Sequence, residues 1–199
     1  MSDPSGVRKS CEELTPELVA EHLEAGYRLV TIEDVMLHDL DAVEVAPAPP
    51  ALAFEPWGQR NIPSFFEAYC SAFAGRPGFP DWSMERWSAW TCDEETFRPD
   101  LSRVARTLAG QPIAFITCDD TSGEPDAGAY IIQVGVHPHW RRLGIGRHLV
   151  TAVLAVWRSE GRTSVLSHVH VNNVASARLL EGTGFRKIRQ RGVFERAQA

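Results

Sequence analysis

The residues with the clearest chemical potential lie in one turn, Arg141-Arg142-Leu143-Gly144-Ile145-Gly146. The run before it, Tyr130–Val136, is rich in strand formers, and apolar residues recur at helical spacing after it, until Gly161. Glycines lack a β-carbon, so a ligand can approach their backbone closely, and the first amides of a helix have no intrahelical acceptor. A strand, a glycine-containing turn and a helix in this order predict a site for an anion such as phosphate.

A second motif follows a predicted strand over residues 164–169 and reads Asn-Val-Ala-Ser-Ala-Arg-Leu-Leu-Glu-Gly-Thr-Gly-Phe from Asn173 to Phe185. In this order the two motifs resemble those of the GCN5-related N-acetyltransferase (GNAT) family. The family patterns are Arg/Gln-x-x-Gly-x-Gly/Ala and Asn-x-x-Ala/Ser-x-x-Leu-Tyr-x-x-x-Gly-Phe. The resemblance extends from Leu52 to the C-terminus. It implies an α/β fold whose mixed, mostly antiparallel central sheet is splayed between its fourth and fifth strands and flanked by helices.

The resemblance also implies acetyl-CoA as co-substrate and suggests where it binds. Backbone groups of the predicted fourth strand would contact the acetyl oxygen and the pantetheine arm, at Val134, Gly135 and Val136. The same residues would suit an ordinary buried strand. The amides of the turn would hold the pyrophosphate, and Arg141 or Arg142 would add a charge-assisted contact. The other turn residues in this assignment are Leu143, Gly144, Ile145, Gly146 and Arg147. Asn173 would either reach the pantetheine or cap its own helix.

One position departs from the family pattern. Leu180 stands where the family usually has a Tyr that commonly acts as general acid toward the coenzyme A sulfur, and leucine has no proton to donate. Either the thiolate leaves unassisted or another donor has taken over. Tyr130 and His168 are the predicted catalytic residues, because their places look like those of the catalytic Tyr and His in one branch of protein amino-terminal acetyltransferases. An imidazole with an ordinary pKa near about 6.5 would accept an amine proton at neutral pH. The alternative is that His168 is structural and Tyr130 belongs to the core.

Aromatic and acidic residues alternate over residues 79–95, where the family builds much of its acceptor site. Stacking and ion pairing would suit a cationic, sugar-like ligand. The predicted substrate-binding residues are Asp81, Trp82, Glu85 and Trp87. The alternative is an amphipathic helix with its tryptophans buried and its carboxylates in water.

Composition narrows the class of protein. The 199 residues are 44% hydrophobic and 23% charged, as in a globular protein of one domain or one domain plus an extension. The net charge of −6 argues against nucleic acid as a partner and favours a cationic substrate. The four cysteines form no C-x-x-C pair, and His137, His139 and His170 have no metal-ligand spacing, so no metal is expected. The absence of a leader-like start or a long apolar run predicts a cytoplasmic protein without membrane contact.

The beginning of the chain is less informative. Thr15 and Pro16 predict a helix that ends at Gly26, and residues 27–32 predict a strand. Pro47-Ala48-Pro49-Pro50 predicts a stiff linker. We therefore expect residues 1–50 to be an N-terminal extension of unknown role and residues 51–199 to be the acetyltransferase domain. The extension would pack on this domain or exchange between the chains of a homodimer; a remnant of a tandem half is the alternative.

Local signals also predict the elements that must position the site. We expect a strand over 52–55, a helix over 62–74, and a second helix capped at Asp81 or Ser83. A hairpin over 101–107 and 112–117 should turn at Ala109-Gly110, and one or two strands over 185–196 should complete the sheet.

The expected function is acetyl transfer from acetyl-CoA to a primary amine of a small cationic molecule. An aminoglycoside antibiotic, and hence antibiotic resistance, is the first acceptor to expect. Two alternatives stay open. One is a protein or peptide amino-terminal acetyltransferase, favoured by the places of Tyr130 and His168, and the other is a non-catalytic acyl-CoA-binding module, suggested by Leu180.

Overall fold

A computed structural model describes residues 8–76, 79–93, 95–121 and 128–196. Two compact units are present: unit 1 combines Met1–Leu37 with Ser167–Ala199, and unit 2 is His38–Leu166. The elements in chain order are β1 Arg8–Cys11, α1 Pro16–Glu24, β2 Tyr27–His38, β3 Leu52–Pro56, α2 Ile62–Phe73, α3 Met84–Thr91, β4 Arg103–Thr107, β5 Pro112–Asp119, β6 Tyr130–Val136, a 3-10 turn Pro138–Trp140, α4 Ile145–Ser159, β7 Val165–His170, α5 Val174–Glu181 and β8 Arg186–Arg196.

The strands of unit 2 follow the order β7-β6-β5-β4-β3. Neighbours from β3 to β6 are antiparallel, and β6 pairs in parallel with the start of β7 at one position, Tyr130 opposite Leu166. Every residue of β5 is buried, as expected for a strand covered on both faces. The hairpin between β4 and β5 turns at Gly110, whose φ of 86° is left-handed and favours glycine. The mixed, mostly antiparallel sheet flanked by helices confirms the predicted fold class.

The core of unit 2 lies where α2 and α3 pack on β5. Phe65, Tyr69 and Trp87 surround Phe115, and the Tyr69 and Trp87 rings stack with centroids 5.0 Å apart. Gly135 belongs to this packing, because a β-carbon there would lie 2.7 Å from the Phe115 ring and 2.8 Å from the methyl carbon of Ala72. Close approach of α2 and β5 therefore explains the glycine in the middle of β6.

The strands of unit 1 follow the order β1-β8-β2-β7. Both β1 and β2 run antiparallel to β8, with Arg8 opposite Glu195 and Tyr27 opposite Arg196. Residues from the two ends of the chain thus complete each other's backbone hydrogen bonds. Strand pairing between segments so distant leaves no local signal in the sequence.

Most predicted elements appear with small shifts at their ends. Thr15 caps α1 by accepting the Leu18 amide at 3.3 Å, and Ser83 caps α3 by accepting the Arg86 amide at 3.3 Å. Three features were not predicted: β1, which has no alternating pattern, the extension of β2 to His38, and the 3-10 turn Pro138–Trp140. Within the described ranges, no helix combines the length and apolarity needed to cross a bilayer.

Candidate functional site: the glycine turn and the His168 cluster

The turn before α4 has the backbone of an anion site. Gly144 is the N-cap residue with φ 82°, and Arg142 also adopts a left-handed conformation with φ 65°. The first hydrogen bond of the helix runs from the His148 amide to the Gly144 carbonyl at 2.9 Å. The amides of Ile145 and Gly146 precede it and so have no acceptor within the helix. Their partial positive charge is directed at whatever lies before the helix.

The arginines of this turn differ in what they contact. Arg141 donates from Nε to the Val136 carbonyl and from Nη2 to the Ala72 carbonyl, both at 3.0 Å. Its guanidinium therefore joins the end of β6 to α2. Arg141, Arg142 and Arg147 are all exposed and can add positive charge to the turn.

A cleft of about 560 Å³ opens beside the turn. One side consists of Leu143, Gly144 and Arg147, and the other of residues from the predicted linker: Glu44, Ala46, Pro47, Ala48, Pro49 and Pro50. Sequence reasoning missed this second side. Its proline content indicated a stiff segment but not the surface on which the segment lies.

The β6 strand presents the backbone expected for the acetyl end of the cofactor. Val134, Gly135 and Val136 pair with Ile116, Phe115 and Ala114 of β5 along one edge. Along the other edge of β6, Tyr130 pairs with Leu166 of β7. Among the described residues, no β7 partner is assigned to Val134, Gly135 or Val136, and their backbone groups on this edge are chemically suited to bind a ligand carbonyl or amide.

His168 lies in a charged cluster of unit 1. Its Nδ1 is 2.7 Å from Nη1 of Arg191, and Nη2 of Arg191 is 3.2 Å from Oε1 of Glu12. Glu33 Oε2 lies 3.9 Å from Nε of Arg191, a buried nitrogen that has no hydrogen-bond acceptor among the described residues. A guanidinium can only donate, so Nδ1 of His168 accepts and the proton of the neutral ring is at Nε2.

The same surroundings change the acidity of His168. Burial of the ring, and then the positive charge of Arg191, lower the pKa of His168 to about 4. Both disfavour the protonated ring. The ordinary pKa that the base prediction assumed is therefore not found, and the ring is neutral throughout the physiological pH range.

Trp87 is a core residue. It is fully buried, and its indole N–H donates to Oε1 of Gln133 at 3.2 Å. Burial corrects the prediction that Trp87 lines an open acceptor site and agrees with the alternative of an amphipathic helix. A buried indole with a satisfied N–H has no face left for a ligand.

The other predicted acceptor residues lie at the surface. Asp81 and Glu85 are exposed, and Trp82 is partly buried against Trp90, with ring centroids 5.5 Å apart. The Arg86 guanidinium lies 5.0 Å from the centroid of Trp82, so the chain's own cation already covers that ring. Hydrogen bonds to the backbone of Glu85 itself, and then to the Ser83 hydroxyl, lower the pKa of Glu85.

Comparison with known proteins identifies the family. Residues 62–185 match the model of the Acetyltransferase (GNAT) family. The chain belongs to this family. The match confirms the resemblance expected from the glycine turn and the second motif.

Two relatives have the same name. A mycothiol acetyltransferase of Thermobispora bispora is 32% identical over 135 residues, which are 66% of this chain and 44% of the relative. A mycothiol acetyltransferase of Nocardiopsis dassonvillei is 42% identical over 99 residues, which are 46% of this chain and 29% of the relative. The chain thus spans less than half the length of either relative.

Solved structures share the fold. A GCN5-related N-acetyltransferase of Sphaerobacter thermophilus aligns with a TM-score of 0.73 and 22% identity over 94% of this chain and 58% of its own. The ribosomal-protein-S18-alanine N-acetyltransferase of Escherichia coli aligns with a TM-score of 0.54 and 18% identity over 74% of this chain and 96% of its own. At these identities the likeness concerns the GNAT fold.

The second GNAT motif, Asn173 to Phe185, makes contacts that cap a helix and fill the core. Asn173 Oδ1 accepts the Ser176 amide at 3.3 Å, so Asn173 caps α5, which is one of its two expected roles. Leu180, in the place of the usual GNAT tyrosine, is 1% exposed. A buried leucine contributes to packing and supplies no proton.

Tyr130 is the remaining proposed catalytic residue on β6. It is half-buried at the first position of the strand, opposite Asp119 and Leu166. The register of β6 against β5 shifts between Ile131 and Gln133, so Ile132 is an extra residue, and Tyr130 and Val134 lie opposite Asp119 and Ile116. Because Asp119 and Ile116 are three positions apart, the side chains of Tyr130 and Val134 lie on opposite faces of the sheet. Metal-ligand clusters of three or more His, Cys, Asp or Glu are absent from the described ranges.

Proposed function

We propose that the protein transfers the acetyl group of acetyl-CoA to a primary amine of a small molecule. The observation that carries this proposal is the left-handed glycine turn at the start of α4, directly after β6, in a chain of the GNAT family. GNAT acetyltransferases use acetyl-CoA as co-substrate. In this chain the amides of Gly144 to Arg147 would hold the pyrophosphate, with Arg142 and Arg147 adding charge.

In the proposed reaction the amine nitrogen attacks the thioester carbonyl carbon. The new C–N bond forms, the C–S bond breaks, the amine loses a proton and the coenzyme A sulfur gains one. The backbone near Val134 to Val136 would orient the acetyl group and stabilise the developing negative charge on its oxygen. We assign protonation of the sulfur to Tyr130, because Leu180 cannot perform it.

His168 is the proposed acceptor of the amine proton, under a condition that the structure sets. Its acceptor atom, Nδ1, receives a hydrogen bond from Arg191. Arg191 must release Nδ1 before a proton can bind there. Because the pKa of His168 is about 4, the acid limb of kcat/KM would lie near pH 4 and not near 6.5. A profile that follows only the ionisation of the acceptor amine would instead assign deprotonation to solvent.

The proposed acceptor is a small amine with positive charge. The net charge of −6 and the exposed carboxylates of Asp81 and Glu85 support a cationic ligand. The names of the two similar relatives make a mycothiol-type acceptor the first to try. An aminoglycoside, the first acceptor expected from composition, is the second.

Release of the coenzyme A thiol from acetyl-CoA tests the proposal. The acceptors are a mycothiol-type amine, an aminoglycoside and a peptide with a free amino terminus, each with wild type and with Gly146→Glu. We expect thiol release with a small amine, and its loss in a folded Gly146→Glu variant. Release with the peptide alone would assign the protein to the amino-terminal acetyltransferases. Binding of acetyl-CoA without release for any amine would indicate a non-catalytic module.

A further inference from the structure

Residues 44–50, the proline segment, are fixed to α4 by hydrogen bonds in both directions. The Ala46 amide donates to Oγ1 of Thr151 at 3.0 Å, and Nδ1 of His148 donates to the Ala46 carbonyl at 2.8 Å. A carbonyl only accepts, so the His148 proton is at Nδ1. The segment is therefore held against the first two turns of the helix that begins at Gly144.

The anchor is itself well supported. Thr151 is 4% exposed, and its hydroxyl also donates to the Arg147 carbonyl at 2.9 Å. The His148 ring packs on Phe54 of β3 with centroids 4.8 Å apart. Since both anchoring side chains are fixed by other contacts, the proline segment is preorganised before any ligand arrives.

The cleft between the segment and the turn has two chemically different sides. Its proline and alanine residues offer flat, apolar surface, whereas the turn offers backbone amides and the exposed Arg147. Glu44 adds a carboxylate that could accept hydrogen bonds from hydroxyl or amino groups. The volume of about 560 Å³ falls in the range of small-molecule sites.

We propose that the proline segment is a wall of the cofactor site and binds the adenosine end of coenzyme A. The proposal rests on the proposed function, which places the pyrophosphate on the amides of the turn. The pantetheine arm would leave the pyrophosphate along β6, and no β6 residue lines the cleft. The group on the other side of the pyrophosphate is the 3′-phosphorylated adenosine, whose flat base suits proline rings and whose 2′-hydroxyl and amino groups suit Glu44.

Thr151→Val tests the wall without altering the turn. The substitution removes the acceptor of the Ala46 amide and keeps the side-chain shape. Calorimetry would compare coenzyme A with 4′-phosphopantetheine, which lacks the 3′-phosphoadenosine and one phosphate of the pyrophosphate. We expect affinity for coenzyme A to fall about three- to tenfold, as for loss of one hydrogen bond, and affinity for 4′-phosphopantetheine to stay unchanged. Thr183→Val is the matched control, because the Thr183 hydroxyl likewise donates to helix carbonyls, those of Leu180 and Leu179 at the end of α5, and the substitution should change neither affinity.

A second variant covers the case in which Thr151→Val leaves the segment in place. Pro47→Gly with Pro49→Gly increases the freedom of the wall and removes apolar surface, and it should also weaken coenzyme A alone. Equal losses for both ligands, or no loss for either ligand in both variants, would overturn the wall. If the wild type bound neither ligand, the proposed function would be overturned together with the wall. If Gly146→Glu bound both ligands as tightly as the wild type, the turn alone would be removed from the proposed cofactor site.

Discussion

The glycine turn of unit 2 and the His168 cluster of unit 1 are built from different parts of the chain. In the turn, backbone amides carry the proposed chemistry, and two left-handed residues only two positions apart, Arg142 and Gly144, set the direction of these amides. In the cluster, side chains carry it, and Glu12, Glu33, His168 and Arg191 come from segments far apart in sequence. A backbone site needs only the right local conformation. A side-chain site needs every contributing strand in register.

The two regions also treat charge differently. The turn concentrates positive potential from amides and from Arg142 and Arg147, which suits an incoming anion. In the cluster, Arg191 pairs with Glu12, lies close to Glu33 and donates a hydrogen bond to His168. Its positive charge therefore acts inside the cluster, where it favours the neutral ring of His168. We therefore expect substitutions in the turn to act on cofactor affinity, and substitutions in the cluster to act on proton binding and stability.

The largest expected effect comes from a charge placed in the turn. Gly144→Glu should raise the dissociation constant of acetyl-CoA by about 100-fold or more, because a carboxylate and a strained residue replace open backbone before the helix. Gly161→Glu is a matched control at the other end of α4. Both glycines have φ 82°, and a β-carbon at either would meet nothing within 4 Å. Calorimetric titration of both folded variants with acetyl-CoA measures this effect. Equal weakening by Gly161→Glu would contradict a specific role of the turn in binding the cofactor.

Arg191→Met should have the next largest effect, in the cluster. Loss of the guanidinium leaves Glu12 and Glu33 without their partner and should lower the free energy of unfolding by about 2 kcal/mol. The pKa of His168 should rise from about 4, since one of its two causes has been removed. Chemical denaturation and NMR titration of the ring would measure these effects. A His168 pKa that did not rise would mean that burial alone sets it.

Tyr130→Phe should lower turnover by about tenfold or more while acetyl-CoA affinity stays the same, because a general acid acts only in the transition state. Leu180→Met, a change of similar volume at the usual position of the family tyrosine, is the control and should leave turnover within about twofold. Steady-state kinetics with saturating acetyl-CoA would distinguish the two. Wild-type turnover in Tyr130→Phe would show that the phenol is not needed.

The smallest expected effect is the pH dependence of stability that His168 causes. The folded-state pKa of about 4 lies below the ordinary value of 6.5, so only the unfolded chain binds the proton between these two pH values. Stability present above pH 6.5 is therefore lost as pH falls toward 4, by about 1 kcal/mol between roughly pH 7 and 5.5. His168→Gln should show a smaller loss over this range in urea denaturation. An identical slope in both proteins would assign the dependence to other groups.

Sequence alone determined the features that depend on near neighbours. Thr15 and Ser83 cap the helices that they were expected to cap, Gly110 turns the predicted hairpin, and Gly144 begins α4. Each depends on a side chain or a backbone conformation within a few residues, so the pattern is complete in a short stretch of chain. The family resemblance rested on two such stretches.

Tertiary structure decided the features that depend on which distant segments meet. Pairing of β1 and β2 with β8 joined the start of the chain to its end, and packing against α2 and β5 buried Trp87. Arg141 donates hydrogen bonds to carbonyls of β6 and α2, and the hydrogen bond from Arg191 to Nδ1 of His168 places the ring proton at Nε2. The physical reason is the same in each case. Burial, strand register and charge pairing depend on groups far away in sequence, so a residue's type and its neighbours do not reveal whether it will face a ligand, the core or another charge.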